Sequence, residues 1–468
     1  MVTHIISLPT DVLVIIFESL SIQTLAALSQ ACHHLHFAVN RFGWSSHLLA
    51  NTRFSPSTRH ALSLRPPRDQ VKYHHLSDIA WREERFVARP LSSAWPGAFR
   101  RPALAVSHSR LVVASRNLVD SYTFHSPQIP TQSPQIRNET SVTLGGGAAA
   151  DVITSVAPVH DPNGAEFYIG LASGIIARTS VDVSGSGTLH LPPVTEAVHL
   201  GDSVLALSSK EDTLLSVSQN GIATVSIAGC VETLDLKTRA WICHLSTNHA
   251  MFGLTSKTPL IVHAIRPSGI STQPAHILDP TSQDTHSKSA VFGICSAPPR
   301  AAWGSEQVIV SGWYNGSVNI HDLRTSTRPH DSYSPSSVPH LLPVLSFVDP
   351  SVDPIYCVAT GGGSSSYVAA GLARHGMVAF WDIRNSRSSG WSVYAPGNDS
   401  SPVYSMVLES SRLFGVTQAR PFVYDFGQGV VEDTFPPFRS TRAETRALKK
   451  QEDGPGYYVT TWRHSQLP

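Results

Sequence analysis

The chain has 468 residues, with 35 Lys and Arg against 34 Asp and Glu, for a net charge of +1. Charged residues make up only 15%, against the ~25% usual in soluble domains, so no electrostatic footprint points to nucleic acid or an anionic membrane. The five cysteines (Cys32, Cys230, Cys243, Cys295, Cys357) are odd in number and form no CxxC pair, so neither a zinc site nor a disulfide framework is indicated, and a reducing compartment, cytoplasmic and/or nuclear, is expected.

The first predicted element starts at Leu8-Pro9-Thr10-Asp11, runs through Val12-Leu13-Val14-Ile15-Ile16-Phe17 and closes at Leu20. Six consecutive apolar residues cover the whole circumference of a helix, where one stripe is the rule. Such a helix must be buried on two sides, and a unit of this size has too little surface of its own to cover both. A second protein is the expected cover, with a plain core helix of a larger domain as the alternative. Asp11 and Glu18 stop the run well short of the roughly 20 apolar residues of a membrane span, and it lacks the basic start and cleavage site of a secretory signal. Pro9 suits a first helical position and Ser21 the cap of a second helix. Leu25 and Leu28 follow at helical spacing, then Ala31-Cys32-His33-His34-Leu35, and later Trp44.

This segment resembles an F-box, without a gap from Leu8 to Leu35. Leu8-Pro9 matches the opening Leu-Pro, and Val12, Leu13, Ile16, Phe17 and Leu20 fall on the first helix of the motif. Leu25 and Leu28 take the second-helix positions, Ala31-Cys32 stand where Val-Cys or Val-Ser is usual, and Leu35 replaces a frequent Trp. The resemblance implies an adaptor-binding surface formed or supported by Leu8, Pro9, Leu13, Ile16, Phe17, Leu20, Leu25, Leu28, Cys32 and Leu35.

Arg65-Pro66-Pro67-Arg68 interrupts any helix in the connector that follows, and Asp69 to Phe86 carries aromatic and charged residues suited to packing against a neighbour. From about Ala103 short Val-, Ile- and Ser-rich stretches alternate with Gly, Pro, Asn and Asp turns, which predicts many short antiparallel strands. One pattern recurs: Gly316 to Arg324 and Gly376 to Arg384 align position for position, Gly229 to Lys237 keeps the same register, and Ala419 to Phe426 is a weaker copy. Each sets alternating apolar residues before an Asp, so one strand face is buried and the Asp can hold the following turn through the backbone. Matching strands, Val308 to Gly312 and Tyr367 to Gly371, precede the two best copies.

These copies resemble WD-type repeats, whose period is about 40–45 residues. Asp425, Asp382, Asp322 and Asp235 are separated by 43, 60 and 87 residues, the lengths of one blade, one blade with an insertion and about two blades. Further blades are expected at Phe252 to Ile265, Leu111 to Phe124 and Glu166 to Val181, and Tyr457 to Trp462 is expected to close the ring against the first blade. A double β-sandwich reads alike strand by strand. Ser126 to Ala150, Pro267 to Ser289 and Thr325 to Pro343 read as loops, and Arg439 to Lys450 as a surface helix.

The expected fold is an N-terminal all-α F-box, a short helical bundle (1–50), a helical or irregular connector (51–100) and an all-β WD-type propeller of about seven blades (101–468). No catalytic constellation emerges. His33, His34 and His36 lack an HExxH arrangement, His74-His75 stand alone, and Gly145-Gly146-Gly147 lacks the Lys-Ser/Thr of a phosphate loop. No metal or cofactor is expected. The combination is similar to the F-box/WD-repeat receptors of ubiquitin ligases, with a fainter likeness to the dactylin-type members around Val71 to Phe86. That likeness implies a non-catalytic subunit. Its F-box binds a Skp-type adaptor, which leads to cullin and RING subunits, while its propeller holds a protein substrate; a scaffold without a degradation role presents the same modules. Arg324, Arg374, Arg384 and Arg420 fall near strand ends or turns, without indicating which end of the ring they occupy.

Overall fold

The computed structural model describes residues 8–95, 101–144, 152–181, 188–189, 196–199, 201–227, 229–267, 269–280, 289–298, 301–325, 338–385, 390–397, 399–437 and 448–464. Six helices come first: α1 (Thr10–Ser19), α2 (Ile22–Ala31), α3 (His33–Ala38), α4 (Trp44–Ala50), α5 (Pro56–Ser63) and α6 (Pro67–Arg82). Leu13, Phe17, Leu25, Ala38, Val39 and Trp44 form the core of a small bundle, and Val71 of α6 joins them. Pro9 sits one place earlier than expected, at the N-cap of α1 with Thr10 as the first helical residue. Ser21 caps α2 as expected, its side chain accepting from the Thr24 N–H at 3.1 Å. Ser21→Ala is expected to destabilise α2 by about 1 kcal/mol, read as faster amide exchange from Thr24 to Leu28. Unchanged exchange would remove the cap from the account.

Behind the helices the strands form a ring of sheets, not the two facing layers of a sandwich. Among the described residues six sheets, one of them nine-stranded and spanning two blades, give seven blades in order: blade 1 (Ala103–Leu144), blade 2 (Ile153–Ser180, with Glu196–Ala197), blade 3 (Val204–Asp235), blade 4 (Ala240–Leu278), blade 5 (Ser289–Val348), blade 6 (Ile355–Tyr394) and blade 7 (Val403–Asp425). Blades 4 and 5 are linked by a two-residue pairing, Thr255 with Ala290 and Ser256 with Ser289. In each blade the first strand is innermost, and the innermost strands neighbour one another around the whole circle.

Apolar seams seal every junction of that circle. Val112 and Phe167 share one buried cluster between blades 1 and 2, Ile176 and Val204 one between 2 and 3, and Val217 and Phe252 one between 3 and 4. Val262 and Ile309 share the cluster between 4 and 5, Val310 and Val368 that between 5 and 6, Phe380 and Leu413 that between 6 and 7, and Val416 and Leu111 that between 7 and 1. Each large side chain buried in a seam stabilises the ring by about 1.5–3 kcal/mol relative to leaving it in water. The period-2 alternation in the sequence is therefore the trace of faces pressed between neighbouring blades.

Closure differs from the sequence expectation. Strand Val87–Pro90, inside the connector, pairs antiparallel with Pro421–Asp425 and becomes the fourth, outermost strand of blade 7. Pro90 is tolerated there because an edge strand has no further partner for the missing N–H. The C-terminal strand, Thr461–Arg463, instead lies against Trp391–Val393 on the outer edge of blade 6. All three predicted loops contain strands: Gln135–Leu144 and Gly269–Leu278, the fourth strands of blades 1 and 4, and the short His340–Leu341, which pairs parallel with Ile277–Leu278. The repeat copy at Gly229 to Lys237 also moves. Cys230–Asp235 is the outer strand of blade 3, whereas the copies ending at Asp322, Asp382 and Asp425 are third strands.

All four aspartates hold their turns as the pattern predicts. Asp235, Asp322 and Asp382 each accept, through Oδ1, the N–H two residues on, at 2.8, 3.0 and 3.0 Å. Asp425 does the same for the Gly427 N–H at 2.8 Å. Gly145-Gly146-Gly147 and most of the predicted helix at Arg439 to Lys450 lie outside the described residues.

The ring has two distinct ends. Inner strands begin at one, here the entry end, and finish at the other, the helical end, where α5 and α6 sit. At the helical end Ser57 of α5 donates its N–H to Glu409 Oε1 at 2.9 Å, and Trp81 of α6 donates Nε1–H to the Ser410 carbonyl at 2.8 Å. Both acceptors lie in the turn between the first two strands of blade 7. Helix α6 thus ties the N-terminal bundle, through Val71, to the ring, through Trp81.

Candidate functional site

The ten adaptor-facing candidates divide by burial. Leu13, Phe17, Leu25 and Leu35 are interior and support the bundle. Leu8, Ile16, Leu20, Leu28 and Cys32 are half-buried, and Pro9 is exposed. Two residues outside that set stand out: Val12 is 37% exposed and Ile15 66%. Helical spacing places Pro9, Val12 and Ile16 on one stripe of α1 with Ile15 beside it. Phe37 and Leu49 add exposed apolar area at 60% and 78%. The all-round apolar helix therefore buries one side in its own bundle and leaves the other open. The sequence carried this signal in Val12 and Ile15, but composition alone does not separate the two sides of such a helix.

The four arginines do not converge. Arg324 and Arg384 follow third strands and lie at the helical end, each paired with the aspartate two residues earlier at 2.8 and 2.6 Å. Arg374 and Arg420 lie in turns between second and third strands at the entry end. Arg374 Nε is 3.6 Å from Asp353, and Arg420 is buried.

His36 Nδ1 lies 2.8 Å from the Ser29 carbonyl and its Nε2 2.9 Å from the Asn40 amide, a local tie between helices. Burial pushes His74 down to about 3, so it packs as a neutral ring. Among the described residues no group of three or more His, Cys, Asp or Glu is arranged to hold a metal ion. Ser392 donates to Asp349 at 2.7 Å and lies 2.7 Å from His464 Nε2, a grouping with the residue types of a hydrolase triad. Here the aspartate contacts both partners, His464 Nε2 lying 3.0 Å away, and all three are buried in the blade wall. It pins the C-terminal segment.

The entry end holds what the sequence reading missed. Six inner strands carry the same irregularity, one extra residue near the start: Thr154, Leu205, Trp241, Phe292, Tyr356 and Tyr404. A bulge re-aims the extra side chain out of the sheet alternation. All but Trp241 line the central bore, a cavity of about 180 Å³. In blade 5 the displacement sets Gly293 against blade 6, where an added Cβ would stand 2.8 Å from the Val358 nitrogen.

Four of these bulge residues are aromatic and touch in series across blades 4 to 7. Trp241 meets Phe292 edge-on at 5.0 Å, Phe292 stacks on Tyr356 at 5.2 Å, and Tyr356 meets Tyr404 edge-on at 5.7 Å. Tyr314, 59% exposed, adds a further edge contact to Phe292 at 6.2 Å. Arg101, entering blade 1, follows next around the bore and also lines it. The dipeptides Ala240-Trp241, Val291-Phe292, Ile355-Tyr356 and Val403-Tyr404 were the legible trace.

Residues 5–49 match the family described as F-box-like. No curated protein matches the chain. A solved structure described as the WD40 beta propeller domain of Doa1 is similar, with a TM-score of 0.49 and 14% identity over 71% of this chain and 96% of that chain. The propeller assignment rests on the closed ring of sheets described above. The chain is an F-box-like unit joined by two helices to a β-propeller with WD-type repeats.

Proposed function

We propose that this chain is the substrate-recognition subunit of a cullin-based ubiquitin ligase. Its F-box-like unit docks a Skp-type adaptor, and its propeller holds a protein substrate. The observation that carries the reading is the open apolar side of α1, with Val12 and Ile15 exposed on a unit whose family match is F-box-like. Opposite placement supports the same division of labour, since the helices occupy one end of the ring and leave the other free. The chain itself supplies no chemistry. It raises the effective concentration of substrate near a ubiquitin-charged enzyme that the adaptor, cullin and RING partners bring. Among the described residues no helix is long and apolar enough to cross a membrane, and cytoplasm or nucleus is where such an assembly would act.

Recovery of adaptor and cullin with the tagged full chain tests the proposal. Ile15→Asp, alone or with Val12→Asp, is expected to lower recovery at least tenfold; Ile15 is 66% exposed and its change leaves the thermal melt nearly unchanged, while Val12, 37% exposed at the edge of the bundle, adds a small loss. Leu13→Ala serves as contrast and loses recovery together with the fold of the bundle. A wild-type chain that retains no adaptor, or a double variant that retains it fully, overturns the reading.

A further inference from the structure

Blades of this ring are lengthened by strands borrowed from elsewhere in the chain. Thr188–Leu189 lies parallel to Thr143–Leu144 as a fifth strand of blade 1, His340–Leu341 does the same for blade 4, and Thr461–Arg463 adds to blade 6. Blade 7 takes its fourth strand from the connector. An outer edge with free N–H and C=O groups is a template for such pairing, and here the chain supplies the added strand itself.

On blade 1 the filling stops short. Its outer strand runs from Gln135 to Leu144, and Thr188–Leu189 covers only the last two residues. From Gln135 to Asn138 the strand keeps regular register with His125 to Tyr122, up to a bulge at Glu139. The opposite edge of this stretch has no partner among the described residues. Four residues are enough for a stable addition in this fold, since the strand that closes blade 7 has the same length.

A cavity of about 590 Å³ lies along the open stretch. Gln135 and Arg137 line it from one face of the strand and Asn138 from the other, which sets the cavity astride the outer edge. Gln135 is only 7% exposed. Its side-chain oxygen accepts from Arg137 Nη2 at 2.8 Å, and its amino group has no hydrogen-bond partner among the described residues, a donor suited to a peptide carbonyl. Phe435 and Pro436 line the cavity from the segment after blade 7, and Ile129, 53% exposed, extends its apolar part. Six of the ten lining residues are exposed, so the cavity is an open groove, unlike a pocket that buries roughly 70–90% of a small ligand. Its one cation, Arg137, is balanced by one anion, Asp433, which makes no track for a nucleic acid.

We propose that this groove seats an extended peptide of a partner protein, which adds to blade 1 as a strand beside Gln135–Asn138. Backbone hydrogen bonds give such pairing its affinity, and the flanking side chains give it a choice of sequence. The fitting segment is free of proline, alternates apolar residues facing Ile129 and Phe435 with polar ones, and carries an acidic residue opposite Arg137. The groove begins at the helical end, where Arg65 donates to the Gln132 carbonyl. The partner is therefore held on the flank, beside the joint with the F-box-like unit and apart from the bore. Binding there stands by itself, and its use in presenting a substrate rests on the receptor reading.

A library of twelve-residue peptides that alternate Val, Ile or Tyr with Thr or Glu is titrated into the full chain. Members that bind are resynthesised with N-methyl groups on every second residue. Methylation in one frame is expected to weaken binding at least tenfold and in the other to leave it unchanged, because only alternate N–H groups of an added strand face its neighbour. In the complex, amide exchange is expected to slow at least tenfold within Gln135–Asn138 and to stay the same in Met377–Asp382, the third strand of blade 6. Ile129→Lys and Arg137→Glu weaken binding at least fivefold with an unchanged melt, since both side chains are exposed, and Arg137→Lys retains it. Val231→Lys, on the outer strand of blade 3, has no effect. A library without binders, equal loss in both methylation frames, or protection that falls outside Gln135–Asn138 overturns the proposal. A dimer of the chain alone that Ile129→Lys dissociates overturns it in favour of self-pairing. Adaptor recovery is measured on the same preparation. Protection of the edge without adaptor binding removes the receptor reading and keeps the groove, and adaptor binding without protection does the reverse.

Discussion

Trp81→Ala is expected to cost the full chain about 3–5 kcal/mol, the range for removing a buried large aromatic ring. Trp81 ends α6 and is 1% exposed. Its ring stacks on Phe426 at 3.6 Å and lies 4.7 Å from Tyr367 and 5.6 Å from Phe380, so the truncation opens a cavity walled by residues of two blades. It also removes the Nε1–H donor from the Ser410 carbonyl, which keeps the Gly363 N–H at 2.7 Å. Trp81→Phe retains most of the ring area and loses the hydrogen bond, for an expected cost of about 1–2 kcal/mol. Urea unfolding followed by far-ultraviolet circular dichroism measures both. A second consequence is mechanical. With Trp81 gone, the segment from Glu83 to Phe86 between α6 and the closing strand should become the first site of limited proteolysis. A loss below 1 kcal/mol for the alanine variant, or cleavage elsewhere first, would show that α6 is held to the ring by other contacts.

What the sequence disclosed follows from how much each segment buries. The F-box-like unit was legible because Leu13, Phe17 and Leu25 must meet in one small core, which forces strict spacing. Third strands such as Met377–Asp382 were legible because they are buried on nearly every residue and end in an aspartate that holds a turn. Outer strands were not. Gln135–Leu144 and Gly269–Leu278 are largely half-buried or exposed, so selection for polarity erases the alternation that would mark them. The same loss of pattern made Cys230–Asp235, an outer strand exposed along most of its length, look like a third strand through its turn-forming Asp235. Closure was hidden for another reason. Val87–Pro90 has four residues and pairs with a strand more than 300 positions later, a contact that no local window contains.

The aromatic arc was the most consequential omission, and its cause is the bulge. Period-2 counting assigns each residue to one of two faces, and the extra residue in six of the inner strands belongs to neither. Trp241, Phe292, Tyr356 and Tyr404 therefore read as misplaced core residues within strands, although each is delivered to the same end of the ring. The same geometry gives the molecule its polarity: the apolar side of α1 and the aromatic mouth belong to opposite ends, joined through α6 and the packed blades. A change at the joint between helices and ring should be felt as altered mutual rigidity of the two, without touching either exposed apolar surface.

That joint contains a carboxyl group whose protonation can be followed. Glu409 is fully buried and accepts both the N–H and the hydroxyl of Ser57. The nearest cation, Arg412, is already committed: its Nε donates to Asp425 at 2.8 Å in a completely buried pair, its Nη2 donates to Ser133 and the Pro134 carbonyl, and its Nη1 reaches the Ser57 hydroxyl at 3.4 Å. One guanidinium thus stands among two carboxyl groups, and burial pushes Glu409 up to about 7 from an ordinary 4.5. Because the folded-state value is the higher one, the stability this group contributes is fully present below about 4.5. It falls as pH rises, because the unfolded chain releases its proton first, and it levels off above about 7. At 1.36 kcal/mol per unit the loss between pH 5 and 8 is about 2–3 kcal/mol. Glu409→Gln places a permanently neutral acceptor against the Ser57 N–H and is expected to remove that slope, leaving the variant more stable than the wild type at pH 8 by a similar amount. Urea midpoints at pH 5 and pH 8 for both chains decide it. Parallel pH dependences would mean that Glu409 is ionised in the folded protein, and the seat of α5 on blade 7 would then be held by charge and not by a shared proton.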